Sequence, residues 1–90
     1  MNKKSFNLEI LTPNKRIFSG PVTSLVAPAE TGYLGVLANH APLFATLTAG
    51  KVVYRDPAGS PTTLWVKGSG FLEVFKNHAT VLTGEVSAPS

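Results

Sequence analysis

Side chains able to do acid–base or metal chemistry are few in this 90-residue sequence, and they are scattered along it. Among the five carboxylates, only Glu30 lies beside the glycine-rich segment that starts at Gly32, so a catalytic carboxylate pair has no evident second member. The two histidines, His40 and His78, are far apart, and neither has a metal-ligand spacing with Asp or Glu. His78 is expected to be a solvated turn residue. The sequence therefore predicts a chain that is not an enzyme and holds no metal or cofactor.

Two short patterns look like fragments of catalytic or nucleotide-binding motifs, and both are incomplete. Gly32 and Gly35 have the glycine character of a phosphate loop, but no Lys-Ser/Thr follows them and no helix is predicted there. Ser69 stands between two glycines but lacks the spacing of a nucleophile elbow. Neither pattern predicts a reaction.

The segment from Gly32 to Pro42 is predicted to be a contact surface. Its glycines permit backbone angles that other residues avoid, and Pro42 fixes the exit of the chain. We expect an exposed projection with His40 near its tip, within which residues 33–37 are a candidate for a brief strand. Gly35 is expected to have a positive φ, so that Gly35→Val would disrupt the loop. Two readings of His40 remain open: contact with a partner, or a hydrogen bond to the backbone of its own loop.

Composition indicates one folded domain with a weakly charged surface. Charged residues make up 14% and apolar residues 43% of the chain, and there is no cysteine. The net charge of +3 is dispersed rather than gathered in a stripe, which argues against a phosphate-backbone partner. No run approaches the roughly 20 apolar residues of a membrane span, so the chain is expected to be soluble or peripheral.

Short apolar runs separated by glycine and proline predict an all-β domain. Residues 6–10 alternate, so Phe6, Leu8 and Ile10 are expected on one face. Further strands are predicted at 15–18, ended by residues 19–21; at 22–27, buried in part on both faces; and at 43–48, where a helix is the weaker alternative. Two hairpins, 51–67 and 71–82, follow. Residues 1–86 are expected to form the domain and 87–90 a loose tail.

Aromatic residues on the predicted strands admit a rival reading. Phe71 and Phe75 lie four residues apart on one face of a predicted strand, as in sheets that stack the bases of single strands, although a place in the core is favoured because no basic residues share their face. Trp65 is expected to be a packing residue rather than a ligand-stacking one. The alternative function is thus a small β-barrel that binds single-stranded nucleic acid.

Ordered motifs along nearly the whole chain resemble the N-terminal domain of the epsilon subunit of F-type ATP synthases. The most specific stretch runs from Gly32-x-x-Gly35 through Leu37-x-Asn39-His40-Ala41-Pro42-Leu43. Other matching stretches flank it on both sides: Leu8-x-Ile10-Leu11-Thr12-Pro13, Ile17-Phe18-Ser19-Gly20-x-Val22, Leu47-x-x-Gly50, Gly68-x-Gly70-Phe71-Leu72-Glu73-Val74 and Asn77-x-x-Thr80-Val81-Leu82.

The resemblance implies a fold and a role. The fold is a flattened antiparallel β-sandwich of about eight to ten short strands. The role is that of a non-catalytic rotor subunit that joins the gamma subunit to the membrane ring of c subunits during ATP synthesis. By resemblance, Thr12 lies toward gamma. The positions implied to meet the c-ring are Glu30, Gly32, Tyr33, Gly35, Asn39, His40 and Pro42.

The resemblance also implies a location and two departures from the family pattern. The chain would be held at the cytoplasmic face of the bacterial inner membrane, or the stromal face of the thylakoid, by its complex and not by a span of its own, and would not bind nucleic acid. Tyr33 stands where many members carry an acidic residue between the glycines, so the ion pair of that residue with the ring is expected to be lost or to be taken over by Glu30. The sequence stops at Ser90, where the family's inhibitory C-terminal helical hairpin would begin.

Overall fold

The computed structural model describes residues 4–87, and within them the chain forms ten β-strands and no helix. In chain order, the strands are β1 Phe6–Leu11, β2 Arg16–Val22, β3 Ser24–Ala29, β4 Gly32–Leu37, β5 Leu43–Leu47, β6 Gly50–Arg55, β7 Pro61–Val66, β8 Gly70–Phe75, β9 His78–Thr83 and β10 Val86–Ser87. The all-β prediction and its strand number are confirmed. The weaker helical alternative for residues 43–48 is wrong, because β5 is a ladder strand paired with β8.

The strands form one continuous hydrogen-bonded sheet that curls into two layers. Layer A contains β4, β3, β6, β7 and β10, and layer B contains β5, β8, β9, β1 and β2. A single pair, Ala29 with Leu47, joins the layers where β3 meets β5. Nearly all neighbours are antiparallel. The exception is β1, which lies parallel to β9, so the two strands of this pair come from opposite ends of the chain.

Alternation of side chains builds the core between the layers. Phe6, Leu8 and Ile10 are all buried, as the sequence pattern predicted. They join inward-facing side chains of layer A, among them Leu25 and Val52, in one hydrophobic cluster. Phe18 of β2 packs against Tyr54 of β6 with ring centroids 4.4 Å apart. Burial raises the pKa of the Tyr54 phenol, which keeps this group uncharged.

Two predicted strand boundaries are wrong. β2 does not end before Ser19 but runs unbroken through Gly20 and Pro21 to Val22. It can do so because β2 is the last strand of layer B, and an edge strand tolerates a proline that donates no hydrogen bond. The following strand begins at Ser24, and its expected burial on both faces is wrong at Val26, which is 39% exposed.

The remaining strand predictions agree with the structure. Residues 50–66 form the first predicted hairpin, and residues 70–83 form the second, with Lys76 and Asn77 in its turn. The pairing of Val86 and Ser87 with β7 was not predicted, and Ser87 is a strand residue where a loose tail was expected to begin; residues 88–90 of that tail lie outside the described residues. Within residues 4–87, no helix is long and apolar enough to span a membrane.

Candidate functional site

The segment predicted to be one projection is divided between two ends of the fold. Gly32–Leu37 is β4, which pairs with β3 along its whole length. The turn at Glu30 and Thr31 precedes β4, and the turn at residues 38–42 follows it. Six residues at about 3.3 Å each separate the two turns by about 20 Å. The expectation of a single tip carrying His40 is therefore wrong, since a regular strand holds the two halves of the motif apart.

The seven positions implied to meet the c-ring nevertheless follow one another along a single strand and its two flanking turns. Glu30, Gly32 and Tyr33 lie at one end of β4, Gly35 lies in its middle, and the other positions follow in the second turn, namely Asn39, His40 and Pro42. β4 pairs only with β3 among the described residues, so one side of the strand is open. We call β4 and its two flanking turns the β4 edge.

Backbone geometry shapes the first turn of the β4 edge. The N–H of Glu30 donates to the carbonyl of Thr46 in β5 at 3.0 Å, which holds the turn against layer B. Gly32 has a φ of 126°, a conformation that residues with a Cβ rarely adopt. The Glu30 side chain is exposed. This end of the edge thus offers a carboxylate on a backbone that requires glycine.

The Tyr33 side chain reaches across β3 to β6 and is also partly exposed to solvent. Its side chain is 58% exposed, yet its hydroxyl accepts a hydrogen bond from the N–H of Lys51 at 3.3 Å. This approach is possible because Gly50 has no side chain: a Cβ there would lie 2.9 Å from both the Tyr33 hydroxyl and the Cβ of Pro28. The ring is thereby held in place while one of its faces remains available for contact.

Hydrogen bonds fix the second turn, which contains His40. Asn39 has a φ of 63°, and its N–H donates to Oδ1 of Asn77 at 2.7 Å. His40 is half-buried, and its Nδ1 lies 2.6 Å from the carbonyl of Ala41, so Nδ1 carries the proton and donates. Of the two readings of His40, the structure shows the hydrogen bond to its own loop. Contact with a partner through the rest of the ring stays a prediction.

Gly35 does not have the backbone conformation expected from the sequence. The glycines with positive φ are Gly32, Gly50 and Gly59, so Gly35 has the ordinary angles of a strand. A Cβ at Gly35 would meet nothing within 4 Å. The expectation that a β-branched residue would disrupt the motif at this position is therefore wrong.

Thr12, the position implied to face gamma, closes a turn. It is half-buried between β1 and β2, where its Oγ1 donates to the carbonyl of Lys15 at 3.2 Å. The turn lies at the end of layer B opposite the Asn77 turn, because the register of β1 with β9 places Leu11 beside Leu82 and Asn7 beside His78. Thr12 has a structural hydrogen bond, and its contact with gamma stays a prediction.

Sequence reasoning missed an apolar patch on the outer face of layer B. Phe71 and Phe75 were assigned to the core, but they are 46% and 53% exposed, because Leu72 and Val74 point inward instead. Phe44 is 66% exposed and stacks on Phe71 with ring centroids 5.4 Å apart. The pairs of aromatic and aliphatic residues at adjacent positions of β8 gave no signal as to which face is buried.

His78 is another residue whose surroundings differ from the prediction. It is the first residue of β9, is half-buried, and lies with Nε2 3.4 Å from Oε1 of Glu9. Arg16 contacts the other oxygen of the same carboxylate at 3.4 Å. This cross-strand cluster lies on layer B and leaves His78 less exposed than a solvated turn residue. Trp65, expected to pack, is 49% exposed on the outer face of layer A.

Among the described residues, the buried polar side chains are paired within the protein. Within residues 4–87, no three His, Cys, Asp or Glu side chains are placed to hold a metal ion. Every buried side-chain N or O atom in that range has a hydrogen-bond partner within the protein. The exposed apolar side chains are the more informative feature.

Comparison with known sequences assigns the fold to a family. The sequence model of the beta-sandwich domain of the ATP synthase Delta/Epsilon chain matches residues 5–89. The chain belongs to this family. Its epsilon-type sandwich is 46% identical to the ATP synthase epsilon chain of Chlorobaculum tepidum over 84 residues, which cover 93% of this chain and 94% of that one. It is 43% identical to the epsilon chain of Dichelobacter nodosus over 82 residues, covering 91% of this chain but 57% of that one.

Solved structures show the same fold. A chain in the cryo-EM structure of the Euglena gracilis mitochondrial ATP synthase, which shows OSCP, F1 and the c-ring, matches with a TM-score of 0.87 at 21% identity, covering 93% of this chain and 53% of that one. A chain in the central stalk and c-ring structure of the Tetrahymena thermophila mitochondrial enzyme matches with a TM-score of 0.78 at 13% identity, covering 98% and 69%. The family resemblance and the β-sandwich fold inferred from the motifs are confirmed.

Proposed function

We propose that this epsilon-type sandwich is a non-catalytic rotor subunit that couples the gamma subunit to the c-ring of an F-type ATP synthase. The observation that carries the proposal is the family match over residues 5–89. The two structural likenesses support it, since both come from ATP synthase assemblies that contain a c-ring. The complex would hold the chain at the cytoplasmic face of the bacterial membrane or at the stromal face of the thylakoid.

The physical demand on a coupling subunit is stiffness. Torque passes through a subunit only if its contact surfaces do not move relative to each other. A closely packed core between two layers resists such shear. The core side chains are nearly inaccessible, including Leu8, Leu25 and Leu72 at 0% exposure. The hydrogen-bonded curl from β3 into β5 also ties layer A to layer B.

We propose that the c-ring contact runs along the β4 edge rather than at one tip. This follows from the positions of Glu30, Gly32, Tyr33, Gly35, Asn39, His40 and Pro42, which are spread over a strand and both of its turns. A contact of about 20 Å along a strand resists rotation of the subunit better than a contact at one point. The turn of Thr12, at an end of layer B, is proposed to meet gamma.

Cross-linking with single cysteines tests this contact, because the chain has none of its own. Cysteines placed at Tyr33 and at His40, one at each end of the β4 edge, are expected to cross-link to cysteines in the polar loops of the c subunit in assembled enzyme. The matched control is Thr63→Cys on β7, which is separated from β4 by β6 and β3. Cross-linking at only one end would restrict the contact to a tip, and equal yields at the control would refute the assignment.

A functional test complements the cross-links. The Tyr33→Ala and His40→Ala double variant is expected to weaken rotor assembly and to lower proton-driven ATP synthesis in membrane vesicles, with Thr63→Ala as control. Unchanged assembly and synthesis in the double variant would contradict the proposed contact. The rotor role itself would fail if the wild-type chain did not co-purify with gamma and the c-ring.

Binding of single-stranded nucleic acid is not favoured by the exposed aromatic patch. Glu73 lies between Phe71 and Phe75 on the same outer face, and Lys76 lies with its Nζ 5.4 Å from the centroid of the Phe75 ring. A carboxylate within the stacking surface opposes a phosphate backbone, and one lysine beside it does not make the basic groove that single-strand binders use. Salt-dependent binding of this chain to oligonucleotides is expected to be absent.

A further inference from the structure

The β4 edge has an open strand without the features that usually protect one. Among residues 4–87, β4 pairs with β3 alone. The strand, Gly32–Leu37, contains no charged residue and no proline. Natural edge strands are normally shielded by lysine, proline, a bulge or a covering loop, because open N–H and C=O groups recruit another strand. β4 therefore carries a latent site for strand addition.

The ladder of β3 identifies which backbone groups of β4 are open. Hydrogen bonds from Glu30 to Thr46 and from Thr48 to Pro28 point the backbone of Pro28 and Glu30 toward β5. Because backbone direction alternates along a strand, the intervening Ala29 points toward β4, where it faces Gly32. Continuing the alternation, the open N–H and C=O groups of β4 are those of Tyr33, Gly35 and Leu37.

We propose that the free chain forms a two-fold dimer in which β4 pairs with β4 of a second copy, antiparallel and centred on Gly35. In this register, Gly35 faces Gly35 of the second copy, and Tyr33 faces its Leu37. Each of the three open residues then meets an open residue, which gives about six hydrogen bonds between the chains. The edge is complementary to itself, so a second copy is the occupant that fits it without any other partner.

Side chains fit the same register. Tyr33 and Leu37 are 58% and 65% exposed, and each would lie opposite the other residue of the second copy, once on each side of the axis. Because the Tyr33 ring leans across β3 toward Lys51, Leu37 of the second copy would contact the base of this side chain. Gly35 leaves open space at the centre, because nothing lies within 4 Å of a Cβ built there. The close approach of the two strands at the axis is therefore not obstructed.

Charges at the two ends of the strand are complementary as well. Glu30 lies beyond the first end of β4, whereas Lys4 and Arg55 line a cleft with Leu37 at the other end. Antiparallel pairing brings the acidic end of one copy toward the basic end of the other, twice per dimer. Like charges are thus not opposed across the axis at these positions.

The dimer concerns the chain before assembly and does not depend on the rotor role. If the c-ring contact runs along the same edge, a chain cannot be in the dimer and bound to the c-ring at the same time. The dimer then covers the open strand until the chain is assembled into a rotor. If the chain contacts the rotor elsewhere, the dimer still forms. The two proposals therefore fail separately.

Sedimentation velocity and backbone amide exchange test the dimer. Between about 10 µM and about 1 mM, the range of a weak interface, the average mass is expected to rise from 9.5 kDa toward twice that value. Over the same range, amides of Tyr33, Gly35 and Leu37 are expected to gain protection from exchange. Those of Leu34 and Val36, which already bond to β3, are expected not to change. A constant monomer mass over this range would overturn the proposal.

The decisive variant is Gly35→Lys, whose side chain has room on the folded monomer. It places two lysines opposite each other at the axis and is expected to weaken dimerisation at least about tenfold. Gly35→Glu is expected to weaken it similarly, and an equimolar mixture of the two variants to restore a dimer through opposite charges. Circular dichroism and thermal unfolding of each variant show that the fold is kept.

A variant on the other exposed apolar surface separates this dimer from non-specific association. Phe44→Ser removes the most exposed aromatic side chain of layer B and is expected to leave the dimer intact. If Phe44→Ser abolished association while Gly35→Lys did not, layer B would be the interface and β4 pairing would be wrong. Failure of the Lys and Glu mixture to restore a dimer would equally overturn the β4 register.

Discussion

The two turns that flank β4 belong to one sequence motif, but they are held by different forces. The turn at Glu30 and Thr31 depends on backbone geometry: a glycine at φ 126° and a main-chain hydrogen bond to β5. The turn at residues 38–42 depends on a side chain, since the amide of Asn77 binds Asn39. The first turn is fixed by main-chain groups, its own and the carbonyl of Thr46. The second is fixed by a residue distant in sequence.

Asn77 holds the second turn through both ends of its side-chain amide. Its Oδ1 accepts from Asn39, and its Nδ2 donates to the carbonyl of Ser5 at 3.0 Å. A single side-chain amide thus ties the His40 turn, the β8–β9 turn and the start of β1 together. Asn77 also has a φ of 61°, a conformation that asparagine tolerates better than most residues. The second half of the motif therefore depends on a side chain from outside the motif, that of Asn77.

The largest expected effect comes from removing this amide. Asn77→Ala loses both hydrogen bonds. It also places alanine in the left-handed region, which alanine tolerates less well than asparagine. Together these changes are expected to cost about 2 to 3 kcal/mol of unfolding free energy, which corresponds to a fall in Tm on the order of 10 °C for a domain of this size. Urea and thermal unfolding measure the two quantities.

Asn77→Gly is the matched control, because glycine keeps the left-handed conformation while losing the amide. It is expected to cost about 1 to 2 kcal/mol, less than the alanine variant. In both variants, faster amide exchange is expected at Asn39 but not at Glu30. Equal loosening of the two turns would show that they are not held independently.

The first turn is best tested through its glycine. Gly32→Ala is expected to cost about 1 to 2 kcal/mol because φ at this position is unfavourable for a Cβ, although nothing lies within 4 Å of that atom. Gly35→Ala, in the same strand at ordinary angles, is expected to be neutral or to stabilise by up to about 1 kcal/mol. If both substitutions had the same effect in urea unfolding, the role assigned to φ would be wrong.

The smallest expected effect concerns the support behind the first turn. Tyr33→Phe removes the hydroxyl that accepts from Lys51 at 3.3 Å, at a partly exposed site. The expected loss is about 0.5 kcal/mol. Amide exchange at Lys51 is the more sensitive readout and is expected to become faster, with Val53 as an internal reference. No change at Lys51 would indicate that the contact adds little in solution.

Local alternation and turn chemistry made part of the fold predictable. The period of two placed Phe6, Leu8 and Ile10 on one buried face, and turn residues marked both hairpins, including the left-handed Asn77. These features depend on neighbours within a few residues. The family motifs then supplied the sandwich, which the structure and the comparisons confirm.

Features that depend on distant strands were not predictable in this way. Alternation in β8 showed that Phe71 and Phe75 share a face, but the other layer decides which face is buried. Pro21 signalled a break, yet the edge position of β2 makes it harmless. At the candidate site, the brief strand over 33–37 agrees with the structure, but the glycine spacing suggested a positive φ at Gly35 and a single projection. Pairing with β3 keeps Gly35 extended and separates His40 from Tyr33.

The parallel pair of β1 and β9 has a consequence for biosynthesis. Asn7 is aligned with His78, so β1 lacks one neighbour until the chain as far as residue 78 and beyond has left the ribosome. β1 can form a hairpin with β2 early, but the sheet between them and β9 closes only after synthesis of residues 78–83. Such long-range closure slows folding. Nascent chains are therefore expected to acquire protease resistance in one late step rather than gradually.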